Sequence, residues 1–455
     1  MLKEAKKIHF VGIGGIGIST IAQILKEQGK EITGSDIEDT DHIHQLQSEG
    51  IRVTIGHDAK NLEEGTDLVI YSFAIEKDNP ELLAAHEKTI PCITYPQSVG
   101  EFSKDYYTIA ITGTHGKSTT TSMTALLLLQ AGLDPTVIDG TKMKELGDKN
   151  YRLGKGKYLV VEACEFRDAF LNYKMDVLST INIDSDHLDY FLTQENYVQA
   201  FNNAAKKVEP NGLLIIDAED ANSRHIQDGA SAHPVWITSN IEHKFKKDYY
   251  YLEGNTLYYV DKNSEEQTLQ INPHVPGKFN IRNAAHTAII GVHLDIPKQK
   301  IEEGIAAFQG SWRRMELKET NLKHALFYDD YGHLASEVDN TLKAIREEYP
   351  DKKILAVFQP HQFIRIRNYL KEFGECFSAA DDVLIPDILR NRDTPEQIGS
   401  IGTEELLAEI KKHKENVFHT TDIYNTADWV RSHGDEYDVI VAMGSGNIKK
   451  LYKLI

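Results

Sequence analysis

The sequence predicts an α/β protein of three consecutive units, each a mainly parallel sheet covered by helices. Three observations carry this expectation. β-rich runs alternate with segments of helical hydrophobic spacing along the whole chain, the order that produces parallel strands joined by helical crossovers. Glycine loops stand between a strand and a helix at 12–17 and again at 113–116. At 455 residues the chain also outgrows a single ordinary core.

The first unit, expected over 1–105, opens with a β-rich run at 7–13, a glycine cluster, helical spacing over 19–28 and a second strand at 31–34. Together these read as a βαβ unit, with 68–71 and 90–94 as later strands of the same sheet. The tract 91–102 closes it. The second unit, 106–310, begins with a strand at 107–112 that runs straight into the second glycine loop and a helix over 118–131. Further strands are expected at 158–162, 177–183 and 213–217. Residues 234–272 alternate tyrosines with polar residues, the pattern of a β-rich insertion, before a helix around 280–292 returns to the body. In the third unit, 311–455, strands at 325–328, 354–359, 383–386, 417–420 and 439–443 alternate with helices at 337–348, 368–378, 403–412 and 426–432.

A net charge of −19 excludes a non-specific nucleic-acid binder, which needs a basic field to displace counterions from phosphate. The three cysteines, Cys92, Cys164 and Cys376, are far apart and form no C-x-x-C pair, which points away from a disulfide framework and toward a reducing cytoplasm. The N-terminal lysines and apolar run suit a first strand better than a signal peptide. The longest purely apolar stretch, 125–129, is far too short to span a membrane. No membrane and no nucleic-acid partner are therefore expected, and the protein is expected to be cytoplasmic, as a monomer or weak homo-oligomer.

The strongest chemical signal is Gly113, Thr114, His115, Gly116, Lys117, Ser118 and Thr119 between an apolar strand and a helix. Backbone N–H groups of such a loop, helped by the positive end of the helix, cradle phosphate oxygens. Lys117 would reach the β and γ phosphates of ATP, and Ser118 would coordinate Mg2+. Only two residues separate the glycines, fewer than in G-x-x-x-x-G-K-[ST], and a plain helix cap is the alternative. Glu162 ends one strand, and Asn182 with the Asp184–His187 tract ends another. Both lie where open α/β sheets bind ligands, so Glu162 and His187 are further candidate metal ligands.

The first loop contains G-x-G-x-x-G as Gly12, Gly14 and Gly17, with Gly15 between them and Asp36 a strand further on. That is a Rossmann-like fingerprint for a diphosphate, with the acid on a ribose hydroxyl. From the residues alone it suits NAD, a UDP-sugar or a structural turn.

GTHGKST, VEACE, TINIDSDHLD, PGKFNIRNA, RRME, YDDYGH, FQPH and MGSGNI occur in one order along nearly the whole chain. This series resembles the Mur ligases. VGIGGIGIS, TGSD and YSFAIEKDNPEL are most similar to the members that join L-alanine to UDP-N-acetylmuramate. The resemblance implies a Rossmann-like N-terminal domain for the UDP substrate, a central P-loop ATPase-like parallel sheet, and a Rossmann-like C-terminal domain that brings the amino acid. It implies ATP and Mg2+, an acyl-phosphate intermediate and a place in peptidoglycan synthesis. Its residue roles fall on Lys117, His187 and Arg314 at the γ-phosphate, on Asn280 and Asn283 for adenine, and on Asp330 for ribose. Gly12, Gly14, Gly15, Gly17, Asp36 and Ser72 then face the UDP substrate, and His333, His361 and Arg365 the amino acid.

The chain departs from the pattern in three places. Gly332-His-Leu-Ala-Ser-Glu337 replaces GHHPTE, His361 is followed by Gln362 where an arginine is usual, and EADE is EACE. The first two bear on the choice of amino acid. Cys164 reads as a small buried hydrophobe with no nucleophilic role. Asn202 stands where some members carry a carbamylated lysine, so that modification is not expected. The competing readings are a ligase for another amino acid or a whole peptide, an NAD-dependent oxidoreductase that would leave GTHGKST unexplained, and a nucleotide-binding regulatory module without catalysis, against which Lys117, Glu162 and His187 together argue.

Overall fold

A computed structural model describes residues 1–184, 187–390 and 393–455. The fold is α/β with three domains, each built on its own sheet. Residues 1–272 with 283–307 form one compact unit, and 273–282 with 308–455 form a second.

The first unit holds two sheets. One contains β1 (Lys7–Val11), β2 (Glu31–Asp36), β3 (Arg52–Ile55), β4 (Leu68–Tyr71) and β5 (Cys92–Thr94) in the order β3-β2-β1-β4-β5, all parallel. The strand order reverses at β1, so the crevice beyond its C-terminal end is the place for a ligand. Thr94 and Gln97 make a reciprocal capping box that starts the closing helix Tyr95–Ser103.

The central sheet contains β6 (Tyr107–Thr112), β7 (Thr136–Met143), β8 (Lys149–Arg152), β9 (Tyr158–Glu162), β10 (Met175–Thr180), β11 (Val208–Asp217), β12 (Pro234–Thr238), β13 (Tyr249–Glu253), β14 (Thr256–Val260) and β15 (Glu266–Gln270). Their order is β15-β14-β13-β12-β11-β10-β6-β9-β7-β8. The tyrosine-rich tract is β-rich, as expected, and its strands extend the central sheet: β12 and β13 continue the parallel pairing, and β14 and β15 add an antiparallel edge. β6 lies between β9 and β10, a second switch point. The register sets Ile111 beside Glu162 and Thr112 beside Thr180.

The second unit holds β16 (Glu316–Lys318), β17 (Leu326–Asp330), β18 (Ile354–Phe358), β19 (Asp382–Pro386), β20 (Val417–Thr420) and β21 (Val439–Met443), ordered β16-β17-β21-β18-β19-β20. All pairs are parallel except β16 with β17. Alternate residues of the central strands enter opposite cores. Ile354, Ala356 and Phe358 join one, Leu355 and Val357 the other. The helix expected at 368–378 is two short helices, Phe363–Asn368 and Leu370–Glu375, broken at Tyr369. No helix among the described residues is long and apolar enough to cross a membrane.

Candidate active site

The 113–119 loop leaves the C-terminal end of β6 and enters the helix Lys117–Gln130. Gly113 has φ +139° and Gly116 φ +81°, values that side-chain-bearing residues rarely adopt. Space also demands glycine: a Cβ on Gly116 would lie 2.6 Å from Asn283 Oδ1, and one on Gly113 would lie 3.0 Å from the Asn182 backbone. Asn182, just past β10, brackets the loop. Its carbonyl accepts from Thr114 N (3.0 Å), its Oδ1 accepts from His115 N (2.9 Å), and its Nδ2 donates to His115 O (3.1 Å). The Thr114 hydroxyl accepts from Asp184 N at 2.9 Å. The helix start carries no side-chain cap, and first-turn N–H groups have no partner within their own helix, as a phosphate cradle requires.

Lys117 lies largely buried. Its ammonium donates to Gly113 O, to Thr114 O (3.1 Å) and to Glu165, whose two carboxylate oxygens are each 3.1 Å away. Burial alone would lower the lysine pKa. Glu165 first, then Cys164 and Glu162, outweigh it and hold the ammonium above the ordinary value.

Glu162 ends β9 beside this loop. Its Oε2 accepts Gly140 N–H at 3.0 Å, and a Cβ on Gly140 would come within 2.5 Å of that oxygen. Glu162 therefore rests on bare backbone. Behind it Asp139, 4% exposed, accepts from Ser122 Oγ at 2.6 Å. Burial, and then the Glu162 charge, push Asp139 well above the carboxylate range. His187, at φ +51°, sets its ring 4.7 Å from that of Phe166. Phe166 and Glu162 line one mostly apolar cavity of about 240 Å³ together with Tyr95, Asp139 and Cys164. Ser118 is buried in the first turn of the helix. The Glu162 carboxylate and the Ser118 hydroxyl are hard oxygen donors of the kind magnesium takes. Among the described residues no group of three His, Cys, Asp or Glu side chains forms a protein-only cage. Cys164 is partly buried and lines the cavity, somewhat more open than the small buried hydrophobe expected. Burial, then Glu165, pushes its thiol up to about 12.

At the other switch point, Gly12 (φ +75°) lets the loop after β1 pass Ser72, whose Cβ would be 3.2 Å from an added Cβ. Gly14 N donates to Asp36 Oδ2 at 2.8 Å. Gly15 caps the helix Ile16–Glu27, and Gly17 lets that helix approach the Tyr95 ring. The loop, Asp36 and Ser72 are therefore assembled at one sheet edge, with Asp36 bonded to the loop itself.

The second unit gathers its own candidates at the C-terminal edge of its sheet. Asp330 pairs in register with Met443, and Phe358 does the same on the other side. Asp330 is buried; it accepts Met315 N at 2.8 Å and Gly332 N at 2.7 Å, and burial raises its pKa. Arg314 sets its guanidinium 5.1 Å from the Tyr331 ring, and the His333 ring lies 5.3 Å from the same ring. The preceding Arg313, 1% exposed, pairs with Asp329 at 3.1 Å and donates to Gly444 O, fixing the segment that carries Arg314. Glu337 approaches His333 Nδ1 at 3.1 Å and accepts the N–H of His333 and Leu334. His361 is buried and bridges through its backbone to Leu389, while Arg365 lies in the helix Phe363–Asn368. Gln362, between them, has φ +65°. Asn280, 3% exposed, donates to Pro276 O at 2.6 Å. Asn280 falls in the second unit and Asn283 in the first.

Sequence reasoning missed Glu165, Tyr197 and Asp139. Glu165 closes the EACE tetrapeptide, next to the Cys164 that departs from the EADE pattern. Tyr197 and Asp139 carry no motif, and only folding brings them to the loop and to Glu162.

The family models described as "Mur ligase family, catalytic domain", "Mur ligase middle domain" and "Mur ligase, glutamate ligase domain" match residues 7–107, 111–291 and 313–446. A UDP-N-acetylmuramate--L-alanine ligase of Caldanaerobacter subterraneus subsp. tengcongensis is 37% identical, covering 98% of this chain and 96% of its own. One of Trichlorobacter lovleyi is 35% identical, with 98% of each chain covered. Among solved structures, the UDP-N-acetylmuramate-alanine ligase of Thermotoga maritima aligns with a TM-score of 0.77 at 27% identity, covering 98% of this chain and 97% of that one. With two glycine loops at two switch points and likeness along its full length, the chain belongs to the Mur ligase family.

Proposed function

We propose that this chain is an ATP-dependent ligase that joins L-alanine to UDP-N-acetylmuramate, forming ADP and phosphate, in peptidoglycan synthesis in the cytoplasm. The observation that carries the reading is the Lys117 loop at the central switch point, flanked by Glu162 at the end of β9 and Asn182 beyond β10. Likeness at 33–37% identity to ligases of that name supports the choice of substrates.

In this reading the substrate carboxylate attacks the γ-phosphorus and ADP leaves. The amine of the amino acid then attacks the acyl carbon of the acyl phosphate, releasing phosphate and a proton. Loop N–H groups, Lys117 and Arg314 supply positive charge where the transferring phosphoryl group needs it. Ser118, Glu162 and His187 would hold magnesium, which when bound neutralises phosphate oxygens. Asn280 and Asn283 take the adenine, and Asp330, which keeps lone-pair capacity on Oδ2, takes the ribose. Gly12, Gly14, Gly15, Gly17, Asp36 and Ser72 hold the UDP moiety. His333, His361 and Arg365 receive the amino acid, the guanidinium matching its carboxylate.

A second reading keeps the chemistry and changes the incoming amine to another amino acid or a peptide. Leu334, Ala335 and Gln362 favour it, since they stand in the segments assigned to that substrate. Phosphate release from ATP with UDP-N-acetylmuramate and each amino acid in turn decides. L-alanine-dependent release supports the first reading, and release only with another amine supports the second. No release with any amine refutes both.

A further inference from the structure

Glu165 is a fully buried carboxylate that the reaction described above does not use. Its Oε1 accepts the Tyr197 hydroxyl at 3.1 Å, and both its oxygens face the Lys117 ammonium. Tyr197 is itself fully buried, on the helix Gln194–Ala205, with its ring packed edge-on against Phe191 and Phe201. Its oxygen also lies 2.9 Å from Thr114 Oγ1, inside the glycine loop. Tyr197 donates its one proton to the Glu165 carboxylate; the Thr114 hydroxyl also reaches Asp184 O at 3.1 Å. The contacts thus run from the loop through Thr114, Tyr197 and Glu165 to Lys117.

Two of the three ammonium contacts, Gly113 O and Thr114 O, belong to the loop that Lys117 serves. Glu165 is the contact anchored outside it, on the segment that follows β9. The height of the ammonium over the phosphate cradle is therefore set by Glu165, and the orientation of Glu165 by Tyr197. A carboxylate buried only to fill space would cost stability without a compensating partner; here its partner is the loop lysine.

We infer that Glu165 and Tyr197 are positioning residues for phosphoryl transfer, holding the Lys117 ammonium at the point where charge develops on the transferring group. The inference rests on the ATP reading of the loop. It concerns Lys117 placement and not its presence, so it separates turnover from nucleotide binding. A misplaced ammonium still attracts ATP in the ground state but loses alignment in the transition state, where about 1 Å of displacement costs on the order of 100-fold.

The test compares wild type, Glu165→Gln, Tyr197→Phe and the double variant, in ADP formation with UDP-N-acetylmuramate and L-alanine. Melting temperature is measured alongside. Glu165→Gln lowers kcat about 100-fold with KM for ATP changed by less than about 3-fold. Tyr197→Phe keeps the ring packing and lowers kcat about 10-fold, the loss of one hydrogen bond to a charged group. The double variant falls no further than Glu165→Gln, because the two act in series. Wild-type kcat in both single variants overturns the inference and leaves the ATP reading standing. So does a loss confined to KM, or strict additivity in the double variant. Absence of ATP consumption by wild type overturns the ATP reading and this inference with it. If Glu165→Gln does not fold, Tyr197→Phe carries the test alone, and unchanged kcat in it is a refutation.

Discussion

Gly116 and Asn283 occupy each other's space: Asn283 Oδ1 stands 2.6 Å from where a Cβ on Gly116 would be, and Gly116 has φ +81°. Two independent demands, conformational and steric, thus fall on one residue of the loop. Gly116→Ala meets left-handed strain of about 1–2 kcal/mol and must also push the Asn283 amide aside. The expected outcome is an ATP KM raised at least about 10-fold, with the melting temperature lowered by a few degrees at most. Steady-state kinetics with varied ATP checks it; a wild-type KM would show that Asn283 has no part in the nucleotide site.

Glu162 and Gly140 form the same kind of pair at the proposed metal position. Gly140→Ala puts a methyl group within 2.5 Å of the carboxylate oxygen that its N–H now holds. The displaced Glu162 should raise the magnesium concentration for half-maximal activity by about 10-fold or more, the cost of disturbing the support of a metal ligand. Glu162→Ala should do the same more strongly. A magnesium titration unchanged in both variants would remove Glu162 from the site.

Stability in acid has a separate origin, in the N-terminal domain. Glu81 is fully buried and gathers His9 Nε2 (3.0 Å), Ser35 Oγ (2.6 Å) and Asn61 Nδ2 (2.8 Å). Burial alone would raise its pKa, but these donors together overcome it and set the pKa below the usual value. A folded pKa lower than the unfolded one gives stability that is present above about pH 4.3 and lost as pH falls through the folded value. Glu81→Gln should therefore destabilise by about 1–3 kcal/mol at neutral pH, and the gap to wild type should shrink below about pH 4. Urea unfolding across pH checks this. A gap that widens in acid would contradict the assigned sign.

The sequence made some features legible for local reasons and hid others for tertiary ones. The two glycine loops were legible because strand, turn and helix stand in unbroken order. Gly12, Gly113 and Gly116 declare their left-handed backbone by being glycine. β7 was not, because Gly140 interrupts its pattern, and the reason for that glycine is a carboxylate 22 residues away. β3 alternates too little buried surface over four residues to stand out. The tyrosine alternation at 234–272 showed strands, but pairing of Trp236 with Tyr249 as a parallel continuation of the central sheet is a matter of register, which period alone does not specify. Tyr197 and Glu165 lie 32 residues apart and share no motif. Their meeting depends on how the helix Gln194–Ala205 returns to the end of β9.

The central claim is that ATP lies along the loop ahead of Lys117, and calorimetric titration of ATP with magnesium present tests it most directly. Wild type should bind with a Kd between about 1 μM and 1 mM. Lys117→Ala should keep its fold, bind at least about 10-fold more weakly and lose nearly all turnover. No heat of binding from folded wild-type protein at any magnesium concentration, or equal affinity and turnover in Lys117→Ala, would contradict the account.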